Sequence, residues 1–201
     1  MTIMVFDDPS CVFVRTRKTG STSIVQGLLG GRDRAALVEE HGRWPSGAGD
    51  RFSFAFVRDP FARLVSCVRM FRDYKASGAA DRALRDALDL DKALDVLEDD
   101  GVPVDGRAYR SKLRLHLLPL TAPRYQIHRV EFIGRFEHFE ADYRRLADRL
   151  GVAVDDVPHL RRSSPTDYRP WYSTRLRARA ERLYEADLER FGYGFGDGAA
   201  A

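Results

Sequence analysis

The stretch Cys11-Val-Phe-Val-Arg-Thr-Arg-Lys-Thr-Gly-Ser-Thr-Ser23, continued by Ile24-Val-Gln-Gly-Leu-Leu29, changes character twice. Cys11 to Val14 is a short apolar, β-branched run that predicts a strand. From Thr22 to Leu29, apolar residues return at Ile24, Val25, Leu28 and Leu29, the spacing of one helix face, and Gly30 and Gly31 supply a stop. Between strand and helix lies a tight polar loop. Its Gly20 lets backbone approach a ligand closely, and N–H groups and hydroxyls at Thr19, Ser21, Thr22 and Ser23 are available to an anion. The helix start adds roughly half a positive charge. Arg15 and Lys18 add full charges, and lysine is scarce in this arginine-rich chain, occurring elsewhere only at Lys75, Lys92 and Lys112. The arrangement predicts a phosphate or sulfate cradle. A nucleoside-triphosphate loop needs Gly-Lys-Ser/Thr in that order; Lys18 precedes Gly20, so that pattern fails.

Working outward, the strand-then-helix pattern recurs. Phe52 to Val57 is apolar at nearly every position, as in a strand buried on both faces of a parallel sheet. The run stops at Arg58. Asp59 then stands where a helix N-cap belongs and Pro60 at the first helical position, with Phe61, Leu64, Val65 and Val68 on one face. Glu131 to Gly134 predicts a third strand, followed by a helix marked by Phe139, Tyr143, Leu146 and Leu150 and stopped by Gly151. Arg82 to Leu97 reads as one or two surface helices. A final helix is expected from about Thr174 to Phe191, closed by Gly192, with residues 196–201 as a loose tail. The alternation predicts an α/β fold: three α/β/α layers around a central parallel sheet, with a P-loop-like strand-loop-helix and ligands bound beyond the carboxyl ends of the strands. Lys18 and Arg58 fall there.

With 201 residues, 44% hydrophobic and 31% charged, the composition predicts one packed domain, residues 1–195, rather than a disordered chain. The formal charge of +3 is mild and its basic residues are dispersed, which suits an anionic ligand and does not announce nucleic acid. Cys11 and Cys67 read as reduced packing residues. No apolar run approaches the roughly 18 residues of a membrane span, and Asp7 and Asp8 stand where a secretory leader would be apolar. A soluble, cytoplasmic protein is expected.

Two segments together carry a resemblance to the sulfotransferase superfamily, in particular its membrane-type and bacterial carbohydrate sulfotransferases. Lys18-Thr-Gly-Ser-Thr-Ser23 resembles the loop that holds the 5′-phosphosulfate of 3′-phosphoadenosine-5′-phosphosulfate (PAPS). Val57-Arg-Asp-Pro-Phe-Ala-Arg-Leu-Val-Ser66 resembles the second motif, in which an arginine and a serine eight positions later grip the 3′-phosphate. Phe132-Ile-Gly-Arg-Phe-Glu137 and Asp187-Leu-Glu-Arg-Phe-Gly-Tyr193 are similar to later family segments, in the same order. The resemblance implies transfer of a sulfuryl group from PAPS to an acceptor hydroxyl, on a carbohydrate or related small molecule, without a metal. Arg58 and Ser66 become 3′-phosphate ligands, and Lys18 the residue that neutralises charge on the departing oxygen.

For the base that takes the acceptor proton, His41 resembles the histidine-glycine segment ahead of the second strand in glycosaminoglycan 2-O-sulfotransferases. His116, in His116-Leu-Leu-Pro119, resembles a histidine before a proline-glutamine pair in other relatives, with Leu120 here replacing the glutamine. Glu40 is a third candidate. His159-Leu-Arg-Arg-Ser-Ser164 looks like the loop that closes over the nucleotide, making Arg161, Arg162 and Ser163 available to the 3′-phosphate. Trp44, Trp171 and Tyr172 read as core or as walls of an acceptor groove. The alternatives are a nucleoside-triphosphate-dependent kinase of similar layering and a non-catalytic polyanion-binding module.

Overall fold

A computed structural model of the chain describes residues 2–39, 42–158 and 167–197. Its strands are β1 (Thr2–Asp7), β2 (Ser10–Arg15), β3 (Leu37–Glu39), β4 (Phe52–Val57) and β5 (Phe132–Arg135). The helices are α1 (Ser21–Gly27), α2 (Pro60–Arg72), α3 (Ala79–Asp86), α4 (Leu90–Glu98), α5 (Tyr109–Leu117), α6 (Phe139–Leu150), α7 (Thr174–Leu183) and α8 (Glu185–Phe191). By chain contacts they divide into two compact units. One takes the described residues up to Arg58 and from Leu120 to Pro158; the other takes Asp59–Pro119 and the described residues from 167 onward.

The first unit holds a five-stranded sheet in the order β3-β1-β2-β4-β5. β2, β4 and β5 are parallel, whereas β1 runs antiparallel to both β2 and β3. The sheet is therefore mixed, which corrects the expectation of a parallel one. The reason is local. Asp7 pairs with Ser10, so only Asp8 and Pro9 separate β1 from β2, and so short a connection permits only an antiparallel hairpin. β1 itself, buried from Thr2 to Phe6, is a strand not among those expected from the sequence pattern.

Alternation along the strands sends one set of side chains to a shared core. Met4 and Phe6 of β1, Cys11 and Phe13 of β2, and Phe54 and Phe56 of β4 meet Ile24 and Val25 of α1 and Phe139, Tyr143 and Leu146 of α6. Phe13 and Phe54 stack with ring centroids 4.8 Å apart. Burying a side chain of this size contributes about 1.5–3 kcal/mol each, so this face fixes where α1 starts. α6 ends at Gly151, whose φ of 67° is the left-handed conformation its position requires.

The second unit is helical. α2 begins as expected: Pro60 is its first residue, and the Asp59 carboxylate accepts hydrogen bonds from the N–H groups of Phe61 (2.7 Å) and Ala62 (3.3 Å). The surface helices expected between Arg82 and Leu97 are α3 and α4, the latter burying Leu90, Ala93, Leu94, Val96 and Leu97 on one face and exposing Lys92, Asp95 and Glu98 on the other. Two other features differ from expectation. α5 was unforeseen, since Tyr109, Leu113, Leu115 and Leu117 alternate with basic residues at the period of a strand. The last helix is divided at Tyr184, whose buried ring carries a hydroxyl that donates to the Leu117 carbonyl at 2.7 Å.

Candidate functional site

Because β2, β4 and β5 run parallel, their carboxyl ends share one edge of the sheet. Arg15 closes β2, Arg135 closes β5 opposite Val57, and Arg58 follows directly after β4. Ligands of such sheets bind beyond this edge. The residues from Thr16 to Gly20 connect β2 to α1 there, and two of them, Lys18 (φ 64°) and Gly20 (φ 78°), have left-handed backbones. For lysine that conformation costs about 1–2 kcal/mol, so neighbouring bonds must hold it.

Those bonds come from β4 and the residue after it. Arg58 donates from Nη1 to the Lys18 carbonyl at 3.3 Å. The Thr16 hydroxyl donates to the Phe56 carbonyl, and the Thr19 hydroxyl lies 2.8 Å from that of Thr16. Gly20 is required for a second reason: a Cβ there would lie 2.6 Å from the Phe139 ring. Gly20 is also the N-cap of α1, and with no side chain capping the helix among the described residues, the N-terminal turn presents its N–H groups. Arg15 donates from Nε to the Ser21 hydroxyl at 3.3 Å, and the Arg58 guanidinium lies 4.3 Å from the centre of the Phe136 ring.

Arg15, Lys18, Thr19, Gly20, Ser21, Thr22, Ser23 and Arg58 are thus gathered in the first unit. Arg15, Lys18, Ser21, Thr22 and Arg58 are half-buried, while Thr19 and Ser23 are buried. Two other candidates belong to the second unit. Ser66 is a half-buried residue of α2, and His116 lies in α5. Nδ1 of His116 is 2.8 Å from the Lys112 carbonyl. A carbonyl can only accept, so Nδ1 carries the proton and Nε2 is the basic nitrogen of the neutral ring. His41, Glu40, Arg161, Arg162 and Ser163 lie outside the described residues.

Of the aromatic candidates, Trp171 and Tyr172 pack on the core of the second unit, the latter donating its hydroxyl to the Phe61 carbonyl at 3.0 Å. The Arg129 guanidinium lies over the Trp44 ring at 5.5 Å. Cys11 and Cys67 are buried and not joined in a disulfide, and burial pushes the Cys11 thiol up to about 12, so it does not supply a thiolate near neutral pH. Among the described residues, no group of three His, Cys, Asp or Glu is arranged to hold a metal ion, and no helix is long and apolar enough to cross a membrane.

Thr16 and Arg17 join the residues expected at this loop from sequence. Nε of Arg17 is buried and has no hydrogen-bond partner among the described residues. Its signal was present, since Arg15, Arg17 and Lys18 crowd three cations into a segment that has no acid between Asp8 and Asp33. Thr16 carried no comparable signal, because its role depends on a carbonyl of β4.

The model of the sulfotransferase family matches residues 1–194, nearly the whole chain. The chain belongs to the sulfotransferase family. No curated protein and no solved structure matches it significantly. Membership identifies the class of chemistry as sulfuryl transfer, and the match runs without a break through both compact units.

Proposed function

We propose that this sulfotransferase takes its sulfuryl group from PAPS and delivers it to an acceptor hydroxyl on a carbohydrate or related small molecule. The observation that carries the reading is the hydrogen bond from Arg58 to the Lys18 carbonyl. It ties the loop that resembles the phosphosulfate site to the arginine that resembles the 3′-phosphate ligand. The loop also fits a multiply charged anion chemically: it is cationic, lacks acids, opens a helix N-terminus and leaves Nε of Arg17 without an acceptor among the described residues.

In this reading the N–H groups from Thr19 to Thr22 and the hydroxyls of Ser21 and Thr22 hold the 5′-phosphosulfate, with Arg15 beside them, while the Ser23 N–H closes the first turn on the Gly20 carbonyl at 2.9 Å. Thr19 acts through its backbone, its hydroxyl being turned to Thr16. Arg58 and Ser66 take the 3′-phosphate, joined by Arg161, Arg162 and Ser163. PAPS supplies an activated sulfuryl group whose S–O bond to the nucleotide phosphate breaks as the acceptor oxygen bonds to sulfur in line.

Lys18 neutralises the charge that grows on the phosphate oxygen as it leaves. A histidine takes the acceptor's proton, and His41 and His116 are the candidates. His116 brings a tautomer already suited to the task. No residue of this scheme requires a metal. Residues 1–195 act together as one sulfotransferase domain, a reading supported by the continuous family match.

Isothermal titration with adenosine 3′,5′-bisphosphate, the desulfated product, tests the donor. Binding is expected, and its absence with well-folded protein would remove the PAPS reading. A mass increase of one sulfate on a component of a hydroxyl-bearing metabolite mixture, dependent on PAPS, then identifies the acceptor.

A further inference from the structure

We propose that Thr16 is a positioning residue: a buried hydroxyl relay from Thr19 through Thr16 to the Phe56 carbonyl sets the Lys18 loop in its ligand-binding shape. The inference rests on the PAPS-dependent reading for its functional consequence. Thr16 and Thr19 are both fully buried. The direction of the relay follows from valence. The Phe56 carbonyl can only accept, so the single proton of the Thr16 hydroxyl is committed to it. The Thr19 hydroxyl, 2.8 Å from Thr16 Oγ1, must then be the donor of that pair. Its other acceptor, the Thr16 carbonyl, is more distant at 3.4 Å.

The relay matters because of what lies between its two threonines. Arg17 and Lys18 form the tip of the loop, and Lys18 has the left-handed backbone that a lysine adopts only when held. The turn is fastened to the end of β4 at two points, by Thr16 to Phe56 and by Arg58 to the Lys18 carbonyl. Arg58 serves the ligand as well, whereas Thr16, fully buried, serves only the loop. Without the Thr16 hydroxyl the Thr19 proton and the Phe56 carbonyl both lose a buried partner, and the cheapest remedy is for the loop to shift toward water. Lys18 and the N–H groups after it then leave the geometry an anion requires.

Thr16→Val preserves shape and removes the hydroxyl; Thr16→Ser keeps it. Two measurements separate the possibilities: affinity for adenosine 3′,5′-bisphosphate, and amide hydrogen exchange of the nucleotide-free protein. Thr16→Val is expected to speed exchange at Lys18, Thr19 and Gly20 while β4 and β5 keep their protection, and to weaken the nucleotide about tenfold. Thr16→Ser is expected to restore both.

Wild-type exchange in the loop together with wild-type affinity in Thr16→Val would overturn the proposal. So would equal loss of protection in the loop, β4 and β5, which would make Thr16 a general core residue. Should the wild type fail to bind the nucleotide while loop exchange still responds to Thr16→Val and recovers in Thr16→Ser, the PAPS reading falls and the positioning of Lys18 by Thr16 stands.

Discussion

Arg179 of α7 and Arg17 of the loop after β2 are the same residue type in opposite chemical settings. Arg179 is met by three carboxylates that α4 presents at helical spacing: Asp91 at 2.7 Å, Asp95 at 2.7 Å and Glu98 at 2.6 Å. Those acids push its pKa further above its ordinary value, and it holds Asp95 and Glu98 below the usual carboxylate range. Arg17 belongs to a segment without acids and has a buried Nε with no partner among the described residues. A cation surrounded by fixed anions is a structural clamp. A cation placed where the chain supplies no anion near it in sequence calls for one from outside, and that difference, more than the number of arginines, distinguishes the candidate site from the basic surface.

The comparison is broken most directly at Lys18. Lys18→Ala is expected to lower kcat for sulfuryl transfer by about 10²–10³-fold, measured with PAPS and an identified acceptor, while the protein keeps its thermal stability. Wild-type turnover would remove Lys18 from the chemistry. Arg58→Ala comes next: loss of a charged hydrogen-bonding group worth about 1.5–3 kcal/mol corresponds to roughly 10- to 100-fold weaker binding of adenosine 3′,5′-bisphosphate. Arg58→Lys is expected to recover only part of this, because a point charge does not reproduce the planar fork. Arg17→Gln sharpens the contrast, with an expected weakening of about tenfold or less in the same titration. An unchanged affinity would mean that its Nε faces no ligand.

The part of the architecture legible in the sequence was the part governed by local rules. Gly20 between an apolar strand and an amphipathic helix, Asp59-Pro60 at a helix start and Gly151 at a helix end each express a backbone constraint within a few residues. β1 and α5 escaped for physical reasons. β1 joins the sheet through pairing with β2 and β3, and α5 buries alternate residues, so its pattern imitates a strand. The candidate loop was legible for similar reasons, since lysine, glycine and hydroxyls at one strand end describe an anion cradle without tertiary information. Thr16 was not, because its function requires knowing that the Phe56 carbonyl, forty positions away, stands beside it. Arg17 is legible only as one of three cations in an acid-free segment; that its Nε is buried with no partner among the described residues is a property of surroundings rather than of residue type.

The other side of the comparison predicts a smaller effect that is confined to stability. Arg179→Met removes the cation while keeping much of the side chain's apolar length. Its carboxylate partners are partly exposed, so solvent screening limits the network, and the expected cost at pH 7 is about 1 kcal/mol or less. The sign of the pH dependence follows from Asp95 and Glu98, whose folded-state pKa values lie below their unfolded ones. Such groups contribute stability that is fully present above the ordinary carboxylate range of about 4 and is lost as pH falls through their depressed values. Urea unfolding is therefore expected to separate wild type from Arg179→Met at pH 7 and to narrow that gap progressively as pH falls below about 4, with sulfuryl transfer at neutral pH unaffected. A gap that persists or widens in acid would mean that Arg179 stabilises α7 through packing rather than charge, and a loss of transfer would place it in the same functional class as the loop cations.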